Sequence, residues 1–487
     1  TIDDLDIANV VDLAGMAPNV HIINTPSNNT AATVAMRGGV TINPAITWEP
    51  TVGMYLDGVY IARSTGAVLD LLEVESVEVL KGPQGTLFGK NTIGGAINIR
   101  SKRPNDEFGG KVSIGVGKFS RTNIRGSINV PISDKFAFNV AVSSKVADGF
   151  IKNLDNSPNS ADIGDEDSLA GRIALSFSPS ETLSIDITVD ATKERENNTS
   201  NVHFENYENA FLPLVYNGIL DVTSGAIASN PTRFGFTPDA VCADQSNRAR
   251  LSNPTCYNSF YTVSRDDPYK TYSRFSSNVP EMNTLASEPI RPAAELDLFG
   301  FSANVSWSIT DELEFMSITA YRDQEGFWSR DEDGSPIEIV STVNDFEQDQ
   351  FSQEFQLKGQ SFDQKMNWIL GLFYIEEQGC HFDLVYLYGE SLTSGGCIDN
   401  SSTAVFTQGT YDFTDKLSLT LGVRYTDDQK SFSPNSVVLR SELVGLPVGL
   451  ALLPFGEATN DVNEVNYMAN LSYRWHDSLM TYAAYGD

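Results

Sequence analysis

The chain has 487 residues, 41% of them hydrophobic, and a formal net charge of −31. That length predicts two or more folded units, and the charge sets aside nucleic acid, whose phosphates require a basic face. No run of about 20 apolar residues can make a membrane helix, which leaves open a membrane β-barrel, because barrel strands alternate lipid-facing with lumen-facing residues.

The sequence starts at Thr1 in "TIDDLDIANVVDLAGMAPNV" with no leader of the secretory type, so processing or truncation is expected to have removed what came before. The first hundred residues carry short β-rich runs, "TVGMYLDGVYI" (51–61), "VESVEVLKG" (74–82) and "GGAINIRS" (94–101), separated by Gly-rich turns. Small helices are predicted over 7–14 and 67–71. This predicts an α+β domain over 1–107, closed by the polar stretch "KRPNDEFGG" (102–110), with a second unit over 108–487.

From Lys111 the pattern changes to strands of period two, including "KVSIGVGKF" (111–119), "FAFNVAVSSKV" (136–146), "LSIDITVDAT" (183–192), "NWILGLFYIEE" (367–377) and "LSLTLGVRYTDD" (417–428). One face of each strand therefore meets an apolar medium and the other a polar one. Short turns such as "PISD" (131–134), "TDE" (310–312), "TDK" (414–416) and "HDS" (476–478) alternate with long polar loops, the largest over residues 196–297. That alternation puts the long loops at one end of an up-and-down sheet, as in bacterial outer-membrane barrels. Phe119, Phe136, Trp307, Phe315, Trp368, Tyr425 and Trp475 fall near strand ends and predict interfacial girdles.

Four cysteines form two local pairs, Cys242 with Cys256 and Cys380 with Cys397, in stretches read as outer loops. Their spacing does not match a zinc site, and loop disulfides in an oxidising compartment are expected. The strands number about 13, an odd count that cannot close a bacterial single-chain barrel, so the chain is expected to be part of a longer protein.

The segments "MRGG" (36–39), "VGMYLDGVYI" (52–61) and "LEVESVEVLKGPQGTLFGKNTIGGAINIRSKRP" (72–104) resemble the plug domain of TonB-dependent outer-membrane receptors. The resemblance implies a mainly β protein, an N-terminal α+β plug inside an antiparallel transmembrane barrel of 22 strands in the family, of which about 13 would be present here. The Gly-rich run "GPQGTLFGKNT" lacks the spacing of a phosphate-binding loop, and a predicted strand follows it where a helix would be required.

In similar receptors cationic plug residues meet glutamates of the wall. Arg37 and Lys81 hold the matching positions, with Glu354 as the expected wall partner. The second position is usually Arg in the family, and Lys cannot make the planar bidentate contact. Ligand contacts in such receptors come from plug apices, which map onto 24–29, 42–48 and 61–66, with Asn24, Trp48 and Arg63 as the candidates.

The resemblance implies no enzyme, no catalytic residue and no resident cofactor or metal. It implies import across the outer membrane of a Gram-negative bacterium by a monomer with its long loops outside, energised through TonB. A ferric siderophore is the first expectation for cargo, with cobalamin or oligosaccharide as alternatives on the same fold. A non-transporting adhesin or enzyme barrel is the alternative from another class, against which the plug-like first domain argues. Haem is disfavoured because only His21, His203, His381 and His476 could supply an axial ligand. Acidic outer stretches such as "SRDEDGSPIE" (329–338) would repel an anionic chelate unless Ca²⁺ or local cations intervene.

Overall fold

The computed structural model describes residues 9–25, 28–67, 72–154, 161–197, 242, 267, 269–271, 292–332, 340–387, 390–441 and 445–486. In the first domain, strands β1 (Val20–Thr25), β2 (Asn28–Met36) and β3 (Gly39–Val40) pair antiparallel in that order. Strands β4 (Val52–Leu56), β5 (Val59–Ile61), β6 (Val74–Lys81) and β7 (Gly95–Ser101) form a second sheet ordered β5-β4-β7-β6, with β4 and β7 parallel. Its core is conventional: Met36, Val52, Met54, Ile97 and Ile99 bury against one another and against Val10 and Leu13.

The helix predicted over 7–14 is a single 3-10 turn, Val10–Leu13, started by a reciprocal capping box between Asn9 and Asp12. Val10 and Leu13, three residues apart, are its buried side chains, and Gly15 at φ +80° follows at its end. Residues 68–71 of the second predicted helix lie outside the described set. The sharp entry into β7 needs Gly95: its φ is +145°, and a Cβ there would run into the Leu80 carbonyl oxygen and the Met36 sulfur.

The second unit is one large antiparallel sheet. Its strands are β8 (Gly109–Val116), β9 (Thr122–Ser133), β10 (Phe136–Ala147), β12 (Glu166–Ser180), β13 (Leu183–Glu196), β15 (Ala293–Thr310), β16 (Leu313–Asp331), β17 (Val340–Ser361), β18 (Met366–Leu387), β19 (Glu390–Thr414), β20 (Leu417–Pro434), β22 (Ala458–His476) and β23 (Leu479–Gly486). Each pairs with the next along the path, and the short β21 (Val438–Ser441) adds to β19. Two further short strands, β11 (Lys152–Asn153) and β14 (Lys270–Thr271), pair in parallel apart from it.

The turns 134–135, 181–182, 311–312, 362–365, 415–416 and 477–478 all lie at one end, and the short connections 117–121 and 388–389 lie at the other. The opposite end carries the connections 148–165, 197–292, 332–339 and 435–457. Some of what reads as loop in the sequence is strand. β18 and β19 hold 22 and 25 residues, about twice the 9–11 that a tilted membrane crossing needs. They run on until 388–389. Cys380 and Cys397 are therefore not loop residues: they sit directly opposite one another in the β18–β19 ladder and are joined by a disulfide. Cys242 is also disulfide-bonded, and Cys256 lies outside the described residues.

The sidedness of the sheet is inverted relative to a soluble sandwich. On β12, Ser168, Ala170, Arg172 and Ala174 are buried, whereas Leu169 and Ile173 stay 55% and 48% exposed. The same holds along the wall, with Val142, Leu370, Leu372, Val405, Leu421 and Val423 outside and Arg322, Gln348, Gln350, Glu377, Ser402 and Arg424 inside. A face that leaves its branched aliphatics uncovered and buries arginine is built for an apolar surrounding medium. Aromatic pairs gather at the tight-turn end, among them Phe136–Phe177, Phe315–Phe355 and Tyr473–Trp475, as a membrane girdle requires.

Candidate functional site

The plug lies against the inner, polar face of the sheet. Wall residues Leu296 and Leu298 of β15 complete its hydrophobic core, and contacts follow on strand after strand. Near the tight-turn end, Asp57 of the plug takes Arg172 Nη2 of β12 at 2.8 Å while its other oxygen accepts the Ser101 N–H at 2.7 Å. Val59 packs on Ile318 and Ala320 of β16. Ser127 of β9 donates to Glu73 at 2.8 Å.

Higher up, Gln350 of β17 behaves as a missing strand rung. Its Nε2 donates to the Tyr60 carbonyl at 2.7 Å and its Oε1 accepts the Ala62 N–H at 3.2 Å. Since β5 is an edge strand, the side-chain amide satisfies backbone groups that an edge would otherwise leave open. One step further, Arg63 clamps Glu377 of β18 in a two-pronged pair, Nε on Oε1 and Nη2 on Oε2 at 2.6 Å, with both side chains buried. Gln348 Nε2 donates to the same carboxylate at 3.1 Å, and Gln324 Nε2 donates to Gln348 at 2.5 Å. Burial opposes the charge of Arg63, but the Glu377 carboxylate outweighs it and raises the guanidinium pKa.

The apex 42–48 is held in two ways. Ile46 is 1% exposed and packs among Trp328, Phe346 and Ile398, and its N–H donates to His381 Nδ1 at 3.3 Å. Glu49 bridges Lys430 of β20 at 2.7 Å and the plug's own Lys90 at 3.5 Å. Burial pushes the Glu49 carboxyl up, yet the lysine charges win and hold its pKa down to about 2. On the same side Gly89 (φ +83°) lets the plug touch the wall: a Cβ would come 2.7 Å from Arg424 Nη2, a guanidinium lodged against the rings of Phe373 and Phe406.

The predicted apex 61–66 meets the apex 42–48 and the stretch 30–31 that follows the apex 24–29. The Gly66 N–H donates to the Thr30 carbonyl at 2.9 Å, Ala31 bridges Thr65, and Arg63 Nη1 reaches the Trp48 carbonyl at 3.5 Å. Trp48 is 58% exposed and Asn24 lies exposed on β1, both open to contact. Arg63 is not: it is buried, and its guanidinium pairs with Glu377, which ties the plug to the wall.

The expected pairing of Arg37 and Lys81 with Glu354 is not made. Both cations border a cavity of about 480 Å³ together with Gly82–Leu87, Gln408, Met468, Asn470 and Tyr482. They therefore face β19, β22 and β23, whereas Glu354 belongs to β17 and takes a hydrogen bond from Gln356. Neither cation forms an ion pair with a carboxylate among the described residues. His381, read as a loop residue, is buried in β18, and His203 lies outside the described residues. The sequence alone does not single out the wall partners Arg172, Glu377 and Lys430. Each stands on the polar phase of an alternating strand, which marks it as lumenal but leaves its partner, more than 100 residues away, unspecified.

A model of the TonB-dependent receptor plug domain matches residues 1–96, and one of the TonB-dependent receptor-like β-barrel matches residues 243–487. Among curated relatives, the pesticin receptor of Yersinia enterocolitica is 33% identical over 170 residues, 34% of this chain and 24% of the relative. The catecholate siderophore receptor Fiu of Escherichia coli is 32% identical over 147 residues, 29% of this chain and 18% of the relative. Among solved structures, the ferric yersiniabactin uptake receptor FyuA of Yersinia pestis superposes with a TM-score of 0.70 at 19% identity, covering 99% of this chain and 62% of that one. The chain thus spans less than two thirds of the length of these proteins. A lumen-filling plug on an outwardly apolar, up-and-down sheet, matched by both family models, places this chain in the TonB-dependent receptor family.

Proposed function

We propose that the receptor this chain belongs to binds a scarce nutrient at the cell surface, a ferric siderophore before cobalamin or an oligosaccharide, and imports it with energy delivered through TonB. The observation that carries the reading is the plug itself. A domain with its own core, tied to the lumenal face from β9 to β20, has no use in an adhesin and closes a pore that would otherwise leak. Relatives named as receptors for yersiniabactin and catecholates support the cargo class. In this reading Asn24 and Trp48 meet the cargo, the acidic outer stretches accept Ca²⁺ where an anionic chelate must approach, and the receptor works as a monomer in the outer membrane.

The test is uptake in a deletion strain supplied with iron as single ferric siderophores, with and without a functional TonB. Loss of one chelate's uptake on deletion, matched by the loss on removing TonB, is expected. Intact iron uptake with lost cobalamin or oligosaccharide uptake would reassign the cargo. Unchanged uptake of all three classes would sink the importer reading.

A further inference from the structure

The buried imidazole at the plug apex has no part in the reading above. His381 is 2% exposed on β18, and its ring stands 5.2 Å from that of Trp328 and 5.7 Å from that of Phe346. Its Nδ1 accepts the Ile46 N–H at 3.3 Å. A nitrogen that accepts carries no proton, so the neutral ring must hold its proton on Nε2. That nitrogen lies 2.9 Å from Asp383 Oδ1, though off the line of a hydrogen bond. Asn344, with its amide oriented to accept Trp328 Nε1 at 3.1 Å, donates to the same carboxylate.

We propose that His381 is a protonation-sensitive catch: neutral, it holds the apex 42–48 against the wall, and protonated, it lets the apex go. Adding a proton to Nδ1 turns the acceptor into a donor that points at another donor, the Ile46 N–H. The buried amide then loses its partner, and an unsatisfied buried N–H favours any conformation that returns it to water. The groups around the ring supply the other side of the balance. Asp383 on its own strand and Asp345 on β17 both interact with its positive charge. The aromatic faces of Trp328 and Phe346 tolerate a cation, and Ile398 and Phe432 from β19 and β20 are apolar. From the plug, Glu49 is neutralised by Lys90 and Lys430. With its pKa near 2, Glu49 stays ionised throughout the range in which histidines titrate, so it cannot produce the same transition. This catch concerns how the plug is seated and holds whatever the cargo is.

The experiment uses the whole receptor with a nitroxide attached at Thr47→Cys, a position exposed beside the catch; no free cysteine competes among the described residues. Spectra are recorded between about pH 8 and about pH 5, the span over which a histidine gains its charge. The label should be immobilised at the alkaline end and mobile at the acid end. His381→Gln, whose amide oxygen can still accept the Ile46 N–H but cannot titrate, should stay immobilised throughout. His381→Phe, which keeps the bulk and loses the acceptor, should be mobile throughout. An acid transition that survives in His381→Gln, or its absence with histidine in place, overturns the proposal. So does an immobilised label in His381→Phe. The three backgrounds also separate a misfolded apex, which would be mobile in both variants, from a working catch.

Discussion

Side chains alternate faces along the strands of plug and wall alike, but plug strands β4, β5 and β7 are buried on both faces, whereas wall strands such as β12 bury one and leave the other exposed. In the plug, Ile97 and Ile99 of β7 are fully buried and pack on Met54 and Met36. In the wall, Leu169 and Ile173 of β12 and Leu370 and Leu372 of β18 are exposed, and Arg172, Gln348, Gln350 and Glu377 are hidden from solvent. The backbone pattern does not distinguish the two; the surrounding medium does. Apolar side chains leave water in both cases, into a core of roughly native packing density in the plug and toward hydrocarbon in the wall. Where the two meet, the wall's buried polar face must be satisfied by the plug. Asp57–Arg172, Gln350 with the β5 edge, Arg63–Glu377 and Glu49–Lys430 meet that requirement.

The sharpest way to break the plug while sparing the wall is Gly95→Val. The added side chain has nowhere to go between the Leu80 carbonyl and Met36, and the φ of +145° is closed to it. A loss of about 3–5 kcal/mol, at the upper end of single substitutions, is expected. Limited proteolysis should then cut within 9–101 while the wall retains its resistance. A protease-resistant plug in this variant would mean that β7 enters differently.

Next in size is the junction itself. Arg63→Ala leaves Glu377 buried with only Gln348 for company, and removing one partner of a buried pair typically costs about 3–5 kcal/mol. Denaturant melting of the plug should register the loss. Replacing both members together, Arg63→Met with Glu377→Leu, should recover most of it, because two charges then leave the lumen at once. Equal losses in single and double variants would show that the pair supplies net attraction.

How much of this contrast is legible in the residues follows from how local each signal is. The tight turns at 134–135, 181–182, 311–312, 415–416 and 477–478 fall within short Pro/Asp/Ser/Lys runs, and the Gly-rich plug strands are found where their motifs stand. The upper halves of β17 to β19 escape such reading. In "VSTVNDFEQDQ" the buried face mixes Val343 and Phe346 with Gln348 and Gln350, so the stretch shows no sustained apolar phase and resembles loop. The latch escapes for another reason. Arg37 and Lys81 are the plug's motif cations, but which carboxylate a cation meets depends on strands hundreds of residues apart, and the pairs made here use Asp57, Arg63 and Glu49 instead.

On the outer face of the wall, Ile173→Arg should cost about 2–4 kcal/mol if the residue lies near the membrane midplane, and less toward either interface. The neighbouring Ala174, which points to the lumen, should accept serine with little change. Folding yields into lipid vesicles measure both. A sheet indifferent to arginine at Ile173 would remove the sidedness on which the comparison rests.

The smallest effect expected is the most specific to the junction. Glu49 has its pKa held down to about 2 by Lys90 and Lys430 against the penalty of burial, compared with roughly 4.3 for a glutamate in an unfolded chain. A depressed carboxylate contributes stability that is fully present above the unfolded value and disappears as pH falls through the folded one. The Glu49 bridge should therefore be intact at neutral pH and weaken only between about pH 4.5 and 2. Its partners are only partly buried, so the contribution should stay near 1 kcal/mol. Plug stability followed by denaturant midpoint should show that acid-side slope with Glu49 present and a flatter one with Glu49→Gln. Because the wall contributes Lys430 and the plug Lys90, Lys430→Met and Lys90→Met divide the slope between the two regions. If Lys90→Met alone flattens it completely, Glu49 belongs to the plug's internal chemistry and not to its attachment.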